Sequence, residues 1–108
     1  MDCIAVWTTT SSVDEARNIA QELVSRRLAA CVQISEIESF YIWEDAVQNE
    51  PEYRLVIKTT VELYSDVEGA IRELHSYELP AIYSFAMHQV YGPYADWVRT
   101  HSNSIGKE

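Results

Sequence analysis

The chain has 108 residues, of which 47% are hydrophobic, and its 17 acidic and 8 basic side chains give a formal net charge of −9. This length fits a single domain, and the hydrophobic content excludes a wholly disordered chain. The negative charge argues against nucleic acid and an anionic membrane surface as partners. We expect one domain over residues 1–102 and a flexible tail over residues 103–108.

The start of the chain and its cysteines bear on the cellular compartment. Asp2 stands where a secretory signal carries basic residues, and the apolar run over residues 3–7 is short. No segment reaches about 20 consecutive apolar residues, the length that spans a membrane. We therefore expect a cytoplasmic protein without a membrane partner, in which Cys3 and Cys31 are free thiols.

The first part of the chain predicts a strand followed by a helix. Residues 3–9 form an apolar run rich in β-branched side chains, which is typical of a buried strand. Ser12 and Glu15 have the spacing of a capping box, in which each side chain bonds the other residue's amide. Apolar residues then recur at helical spacing, so we expect an amphipathic helix over residues 13–28.

The second predicted strand is long for a domain of this size. Residues 30–43 alternate as a strand does, and the three-residue step from Ile34 to Ile37 predicts a β-bulge. At ~3.3 Å per residue the strand spans roughly 43 Å, whereas a domain of ~100 residues has a radius of gyration near 13 Å. The hairpin should project and pair with other subunits through its apolar tip, residues 40–43. The alternative is a break at residues 35–36 that leaves two short strands.

The second half of the chain continues the alternation of strands and helices. Thr59 and Glu62 offer a second capping box, and Pro93 suits the first turn of a closing helix. The order β-α-β-β-α-β predicts a ferredoxin-like α+β fold, an antiparallel four-stranded sheet with an extra C-terminal helix. The predicted elements are a polar connection over residues 44–51, a strand over 52–60, a helix over 63–74, a strand over 81–90 and a helix over 94–101.

Three polar side chains converge at the junction between the second helix and the fourth strand. His75, Tyr77 and Glu78 place an imidazole, a phenol and a carboxylate together in a loop. His75 has the chemistry to ligate a metal or move a proton, or it serves a structural role at the helix end. Both interpretations stay open at the level of the sequence.

Three further side chains are candidates for a ligand-binding cleft. Lys58 offers a cation for an anionic group or for Glu78, with an ordinary solvent-facing lysine as the alternative. Cys31 is a candidate thiolate ligand, although a free cysteine at a strand start more often packs as a small hydrophobe. Trp43 lines a cleft or packs in an interface, where aromatic residues are enriched.

The sequence contains no pattern that specifies catalysis. It lacks a Gly-rich phosphate loop, a Gly-x-Ser-x-Gly elbow and a His-Glu-x-x-His pair. A Cys31–His75 dyad is conceivable, but such a pair depends on geometry. We therefore expect a protein that is not an enzyme.

Blocks of sequence along nearly the whole chain resemble the CutA divalent-cation-tolerance family. Residues 27–34 (RLAACVQI), 39–43 (SFYIW) and 52–59 (EYRLVIKT) are similar to its central motifs. Residues 75–82 (HSYELPAI) and 94–98 (YADWV) resemble its later blocks, in order and with sensible spacing. The resemblance implies a homotrimer, similar in architecture to the PII signalling trimers, whose long hairpins pair around a threefold axis. It also implies clefts between subunits and an association with tolerance to divalent metals, chiefly copper.

Departures from the family pattern bear on metal binding. The family residues expected to form a soft-metal site with His75 are absent, so His75 alone remains as a metal candidate. The departures are Trp7 where some bacterial members have Cys, Leu74 where they have His, Ser76 for the usual Pro, Ala81 for the usual Glu, and Asp45 for the usual Gly.

The functional expectation is a trimeric binding or signalling module linked to the response to metal. Its ligand, a small molecule or a divalent cation, is expected in the cleft that holds Lys58, His75, Tyr77 and Glu78, with Cys31 and Trp43 nearby. One alternative is a direct binder of copper or another divalent metal, and no cofactor is certain. A further alternative is a scaffold that anchors another protein.

Overall fold

The secondary structure follows the predicted order in the computed structural model, which describes residues 2–103. The strands form one antiparallel sheet in the order β2-β3-β1-β4, so the ferredoxin-like α+β fold is confirmed. Among the described residues, no helix is long and apolar enough to cross a membrane. The elements are β1 (Cys3–Thr10), α1 (Val13–Ser25), β2 (Cys31–Trp43), β3 (Ala46–Thr60), a 3-10 turn (Val61–Leu63), α2 (Tyr64–Leu74), β4 (Ile82–Ala86) and α3 (Gly92–His101).

The main core lies between one face of the sheet and the helices α1 and α2. Burial of the apolar side chains of this core is the principal contribution to the stability of the fold, at about 25 cal/mol per Å² of apolar surface removed from water. Helix α3 packs on the opposite face, where Cys3 contacts Ala95 and Val98, because neighbouring strand residues point to opposite sides. The fully buried members of the main core are Val6, Ala16, Ile19, Leu23, Leu55, Ile57, Val67 and Ile71.

The hairpin of β2 and β3 projects beyond the rest of the sheet, as predicted. Pairing between β1 and β3 ends at Thr10↔Tyr53, whereas β2 and β3 stay paired for seven more positions, out to Trp43↔Ala46. The molecule is accordingly elongated, with a longest axis of 44 Å and a radius of gyration of 14.4 Å. The apolar tip is exposed: Phe40 is 69% and Ile42 65% accessible.

Two predictions about this hairpin were wrong. The strands keep an unbroken one-to-one register through Ile34 and Ile37, so there is neither a β-bulge nor a break. Strand β3 begins at Ala46, and the polar connection is reduced to Glu44 and Asp45, whose φ values of 51° and 62° suit a two-residue turn. The predictions relied on the alternation of apolar and polar residues along the strands. Both faces of the outer hairpin are largely exposed, so no buried core requires that alternation there.

Helix α1 starts at the predicted cap, but only half of the capping box forms. The Ser12 Oγ accepts a hydrogen bond from the Glu15 amide at 3.1 Å. The Glu15 carboxylate instead accepts from the amide of Ser76 at 2.6 Å and from its hydroxyl at 3.1 Å. Residue 76 can donate from its backbone amide because it is serine, whereas proline, the usual residue of the family at this position, has no backbone N–H. The start of α1 is thereby tied to the loop before β4.

The end of α1 differs from the prediction by three residues. Arg27 has a φ of 60°, and its amide bonds the carbonyl of Val24, while the Leu28 amide bonds that of Leu23. This is the Schellman arrangement, which satisfies the last carbonyls of a helix. Leu28 still packs in the core, and this explains why it continued the apolar pattern.

The remaining boundaries also differ from the prediction: α2 and β4 are shorter, whereas α3 begins two residues earlier, at Gly92. Thr59 does not cap α2: its hydroxyl donates to the carbonyl of Leu28 at 2.7 Å, and no side chain caps the helix. Strand β4 ends at Ala86, because its pairing partner β1 begins at Cys3. At the C-terminus, Ser102 is buried and Asn103 exposed, whereas residues 104–108 of the predicted tail lie outside the described part of the chain.

Candidate functional site

A groove of about 760 Å³ lies between the hairpin and the loop that precedes β4. Residues 38–43 and residues 76–79 line it, together with Thr9, Glu52 and Ala81. The groove thus brings together three of the predicted cleft residues, Trp43, Tyr77 and Glu78. Its volume is in the range typical of small-molecule sites. We call this feature the hairpin groove.

His75 lies immediately before the loop, and both of its ring nitrogens bond to the backbone. Nε2 lies 2.7 Å from the carbonyl oxygen of Thr9, and Nδ1 accepts from the amide of Tyr77 at 3.0 Å. The amide must donate to Nδ1, so Nε2 carries the proton and donates to the carbonyl. Thr9 lies one residue beyond the last β1–β4 pair, so the imidazole satisfies a carbonyl that β4 does not reach.

Tyr77 connects the loop to the hairpin through a buried carboxylate. Its hydroxyl donates to Glu52 Oε2 at 2.6 Å, and its ring lies 4.8 Å from the His75 ring, centroid to centroid. Burial, followed by the hydrogen bond to Glu52, raises the pKa of Tyr77 well above its usual value of 10.0. The phenol therefore keeps its proton and holds the carboxylate in place.

Glu52 is the functional residue that the sequence analysis missed. It begins the predicted strand over residues 52–60 and was not among the predicted cleft residues, yet it is only 8% exposed and accepts the Tyr77 hydrogen bond. Its partner lies 25 residues away in sequence, and no local pattern relates the two positions. A buried carboxylate requires such a partner, because an unpaired buried charge is costly.

Replacement of Tyr77 by phenylalanine should change the dependence of stability on pH. The folded state binds the phenolic proton more tightly than the unfolded state, so Tyr77 stabilises the fold below pH 10.0 and this contribution declines as pH rises above it. We expect Tyr77→Phe to lower the free energy of unfolding by roughly 1–2 kcal/mol at neutral pH, since Glu52 loses its donor. Above pH ~10 the variant should lose stability less steeply than the wild type.

Urea unfolding at about pH 8 and about pH 10.5 measures both effects. Tyr91→Phe is the matched control, because the Tyr91 side chain is 77% exposed and makes no comparable contact with a buried carboxylate. Parallel pH profiles for wild type and Tyr77→Phe would contradict the role assigned to the Tyr77–Glu52 bond.

Lys58 and Cys31 lie outside the hairpin groove. They are paired across β2 and β3, and the Lys58 ammonium donates to the side chain of Gln33 rather than to Glu78. Cys31 is a free, partly exposed thiol. The predicted cleft set therefore falls into two places: the groove residues, and the Cys31–Lys58 pair on the sheet.

The residues around His75 do not fit a metal site. A metal at either ring nitrogen requires one of the two backbone hydrogen bonds to break. Within residues 2–103, no group of three or more His, Cys, Asp or Glu side chains is placed to hold a metal ion. Trp7, at the position where some bacterial members of the family have cysteine, packs against Tyr83 and Phe85.

The sheet face opposite α1 and α2 carries an aromatic cluster beside α3. The ring of Trp7 lies 5.4 Å from that of Phe85 and 6.2 Å from that of Tyr83, and the Arg54 guanidinium lies 4.8 Å above Trp7. Phe85 is 54% and Tyr83 45% exposed. We call these four residues the aromatic face. Exposed apolar clusters of this kind are typical of protein interfaces.

The fold and the site define a ferredoxin-like domain with a projecting hairpin and a groove between that hairpin and the loop before β4. A protein family described as CutA1 divalent ion tolerance protein has a sequence model that matches residues 4–101. The chain belongs to this family.

Relatives and solved structures agree with this assignment. A probable divalent-cation tolerance protein, a cutA homolog of Encephalitozoon cuniculi, is 38% identical over 103 residues, covering 95% of this chain and 90% of that protein. The structure of the periplasmic divalent cation tolerance protein CutA from Archaeoglobus fulgidus superposes with a TM-score of 0.91 at 30% identity, covering 94% of this chain and 99% of that one. CutA1 from Oryza sativa gives a TM-score of 0.92 at 29% identity, with 95% of both chains covered.

Proposed function

We propose that this protein acts as a homotrimer that binds a small ligand in the hairpin groove, and that it serves divalent-cation tolerance by binding rather than by catalysis. The observation that carries this proposal is the groove itself. It joins the projecting hairpin to the loop before β4, and His75, Tyr77 and Glu15 fix that loop in place. A site held by such contacts is preorganised for binding, which lowers the cost of ordering on ligand entry.

Two features support the homotrimer. The outer hairpin has no third strand beside it, and its apolar tip is exposed, so pairing with another copy would cover both. Since residues 40–43 of the tip also line the hairpin groove, the homotrimer would make the groove a cleft between subunits. The aromatic face is a second uncovered surface, and the Nε atom of Arg54 within it is buried without a hydrogen-bond partner. A neighbouring subunit would supply both apolar cover and an acceptor for that guanidinium.

Binding without catalysis is supported by the hydrogen bonds of His75 and by the position of Cys31. Both nitrogens of His75 are engaged with the backbone, and Cys31 lies outside the groove, so the conceivable Cys31–His75 dyad lacks a free base. Direct copper binding at His75 meets the same obstacle. The cytoplasmic location stays a prediction.

A groove-filling variant tests the proposal. A thermal-shift screen of small charged and neutral molecules, together with copper and zinc salts, should find at least one compound that stabilises the wild type. Ala81→Phe places a ring in the groove from an exposed lining position and should abolish that stabilisation. Ser65→Phe, at an exposed position of α2, is the control and should preserve it. Stabilisation that survives in Ala81→Phe would overturn the hairpin groove as the binding site.

A further inference from the structure

We propose that a second groove, at the opposite end of the sheet from the hairpin tip, binds small anions that carry an aromatic ring. This groove has a volume of about 380 Å³ and lies between the end of α1 and the last turns of α3. Its walls combine a guanidinium, two aromatic rings and small or apolar side chains. We call this feature the basal pocket. It is a separate site from the hairpin groove, and the function proposed above does not depend on it.

The basal pocket lies outside both surfaces that the homotrimer would cover. Strand β2 begins at Cys31, directly after the lining residue Ala30, and reaches the hairpin tip at Trp43. At ~3.3 Å per residue these ends of the strand are roughly 40 Å apart. The lining of the basal pocket shares no residue with the outer hairpin or with the aromatic face. Assembly through those two surfaces would therefore leave the basal pocket open.

The basal pocket carries a positive charge in a chain whose net charge is −9. Arg27 lines it, and within residues 2–103 no Asp or Glu side chain does. Arg17, Arg26 and Arg99 each pair with a carboxylate, whereas Arg27 has no such partner in the described part of the chain. A guanidinium in this state is suited to a carboxylate or a phosphate, which it can bind through two parallel hydrogen bonds.

The side chain of Arg27 is not needed to end α1. The backbone amides of Arg27 and Leu28 already bond the carbonyls of Val24 and Leu23. Arg27 has a φ of 60°, a conformation that glycine adopts more readily than any residue with a Cβ, and glycine is the usual residue at this position of a helix end. A side chain is therefore present here against the preference of the backbone, which points to a role for the guanidinium itself.

The α3 side of the basal pocket is an aromatic surface held in a fixed position. The ring of Trp97 stacks on that of Tyr94, with centroids 5.8 Å apart and planes 23° apart, and the ring of His101 lies 5.3 Å from it. Trp97 is nevertheless 43% exposed, and so is Val24 on the α1 side. An indole held between two neighbours offers a stacking surface to a planar ring. A ligand with both an aromatic ring and an anionic group would use both sides of the pocket.

An NMR titration of the full-length protein, followed at the Trp97 indole N–H, tests the inference. Phenyl phosphate and benzoate present the ring with a phosphate or a carboxylate, and we expect each to bind once per chain. Inorganic phosphate keeps the charge without the ring, and benzyl alcohol keeps the ring without the charge. Each should bind roughly tenfold more weakly than phenyl phosphate, because it uses only one side of the pocket.

Matched variants place the binding in the basal pocket. Arg27→Gln should weaken phenyl phosphate binding roughly tenfold, and Trp97→Leu by a similar factor. Ser25→Glu, at an exposed lining position, leaves both of those side chains in place and should abolish binding, because it sets a carboxylate beside the anion. Arg72→Gln removes an exposed guanidinium of α2 outside the pocket and should change the affinity less than about twofold at about 0.15 M salt.

Three results would overturn the basal pocket as an anion site. Equal weakening by Arg27→Gln and Arg72→Gln would show that the binding does not depend on the pocket. Equal affinity for phenyl phosphate and inorganic phosphate would exclude the aromatic surface. Dissociation of Trp97→Leu, which should keep the wild-type mass in light scattering, would place Trp97 in a subunit interface.

The two proposed sites can be told apart with the variant that fills the hairpin groove. Phenyl phosphate should bind Ala81→Phe as it binds the wild type, because residue 81 lines the hairpin groove and not the basal pocket. A compound whose binding survives Ala81→Phe but is lost in Ser25→Glu belongs to the basal pocket. Loss of phenyl phosphate binding in Ala81→Phe, with no loss in Ser25→Glu, would assign the anion to the hairpin groove and overturn the inference.

Discussion

Phe85→Glu is expected to convert the proposed homotrimer into monomers. Phe85 is 54% exposed and lies within the aromatic face, with its ring 5.4 Å from that of Trp7 and 5.7 Å from that of Tyr83. If other subunits cover this face, a carboxylate there must be buried without a partner, at a cost of several kcal/mol per subunit. Light scattering should then give the 12.4 kDa mass of the chain in place of about three times that value.

The matched control for this experiment is Val61→Glu. Val61 lies in the 3-10 turn before α2, is 48% exposed, and receives the same change from an apolar to an acidic side chain. It should leave the mass unchanged. Circular dichroism verifies that Phe85→Glu is folded, and Tyr83→Glu provides a second variant of the same face. A folded Phe85→Glu that keeps the wild-type mass would place the subunit interface elsewhere.

His75→Ala is expected to destabilise the fold without changing copper binding. The substitution removes the donor to the Thr9 carbonyl and the acceptor for the Tyr77 amide. Loss of both hydrogen bonds should lower the free energy of unfolding by roughly 2 kcal/mol. An unsatisfied backbone group costs about 1–3 kcal/mol when it is buried and less when water reaches it. For a domain of this size the melting temperature should fall by about 10 °C. Calorimetry should show the copper stoichiometry of the wild type.

Two further variants sharpen this experiment. His88→Ala removes an exposed histidine and should leave the melting temperature within about 1 °C of the wild type at the same protein concentration. His75→Asn retains an acceptor near the position of Nδ1 and should recover about half of the lost stability. Loss of stoichiometric copper binding in His75→Ala, with an unchanged melting temperature, would contradict the structural role and favour direct metal ligation.

The contacts of His75 separate two accounts of divalent-cation tolerance. In one, the protein binds the metal itself. In the other, the protein binds an organic ligand and tolerance arises indirectly. The engaged imidazole argues against metal ligation at His75, and the hairpin groove offers a site for an organic ligand. Copper titration of His75→Ala and the ligand screen of Ala81→Phe test the two accounts on separate sets of residues.

Local patterns determined much of the fold. The apolar run of β1, the helical periodicity after Ser12 and the length of β2 were sufficient to predict the element order and the projecting hairpin, because each depends on neighbours along the chain. Where a segment had no buried face, as in the outer hairpin, the same reasoning produced a bulge that does not exist. Hydrophobic alternation specifies register only where one side of a strand is buried.

The candidate site was determined by the sequence only in part. The sequence identified Tyr77, Glu78 and Trp43, but it also grouped Lys58 and Cys31 with them, which the structure places elsewhere. Tertiary contacts decided what these residues do. Three hydrogen bonds join residues that are far apart in sequence. The separations are 25 residues for Tyr77 to Glu52, 61 for Ser76 to Glu15 and 66 for His75 to Thr9. A single sequence specifies local preference, whereas the partners of such polar groups are set by which distant segments the packed core brings within hydrogen-bond distance.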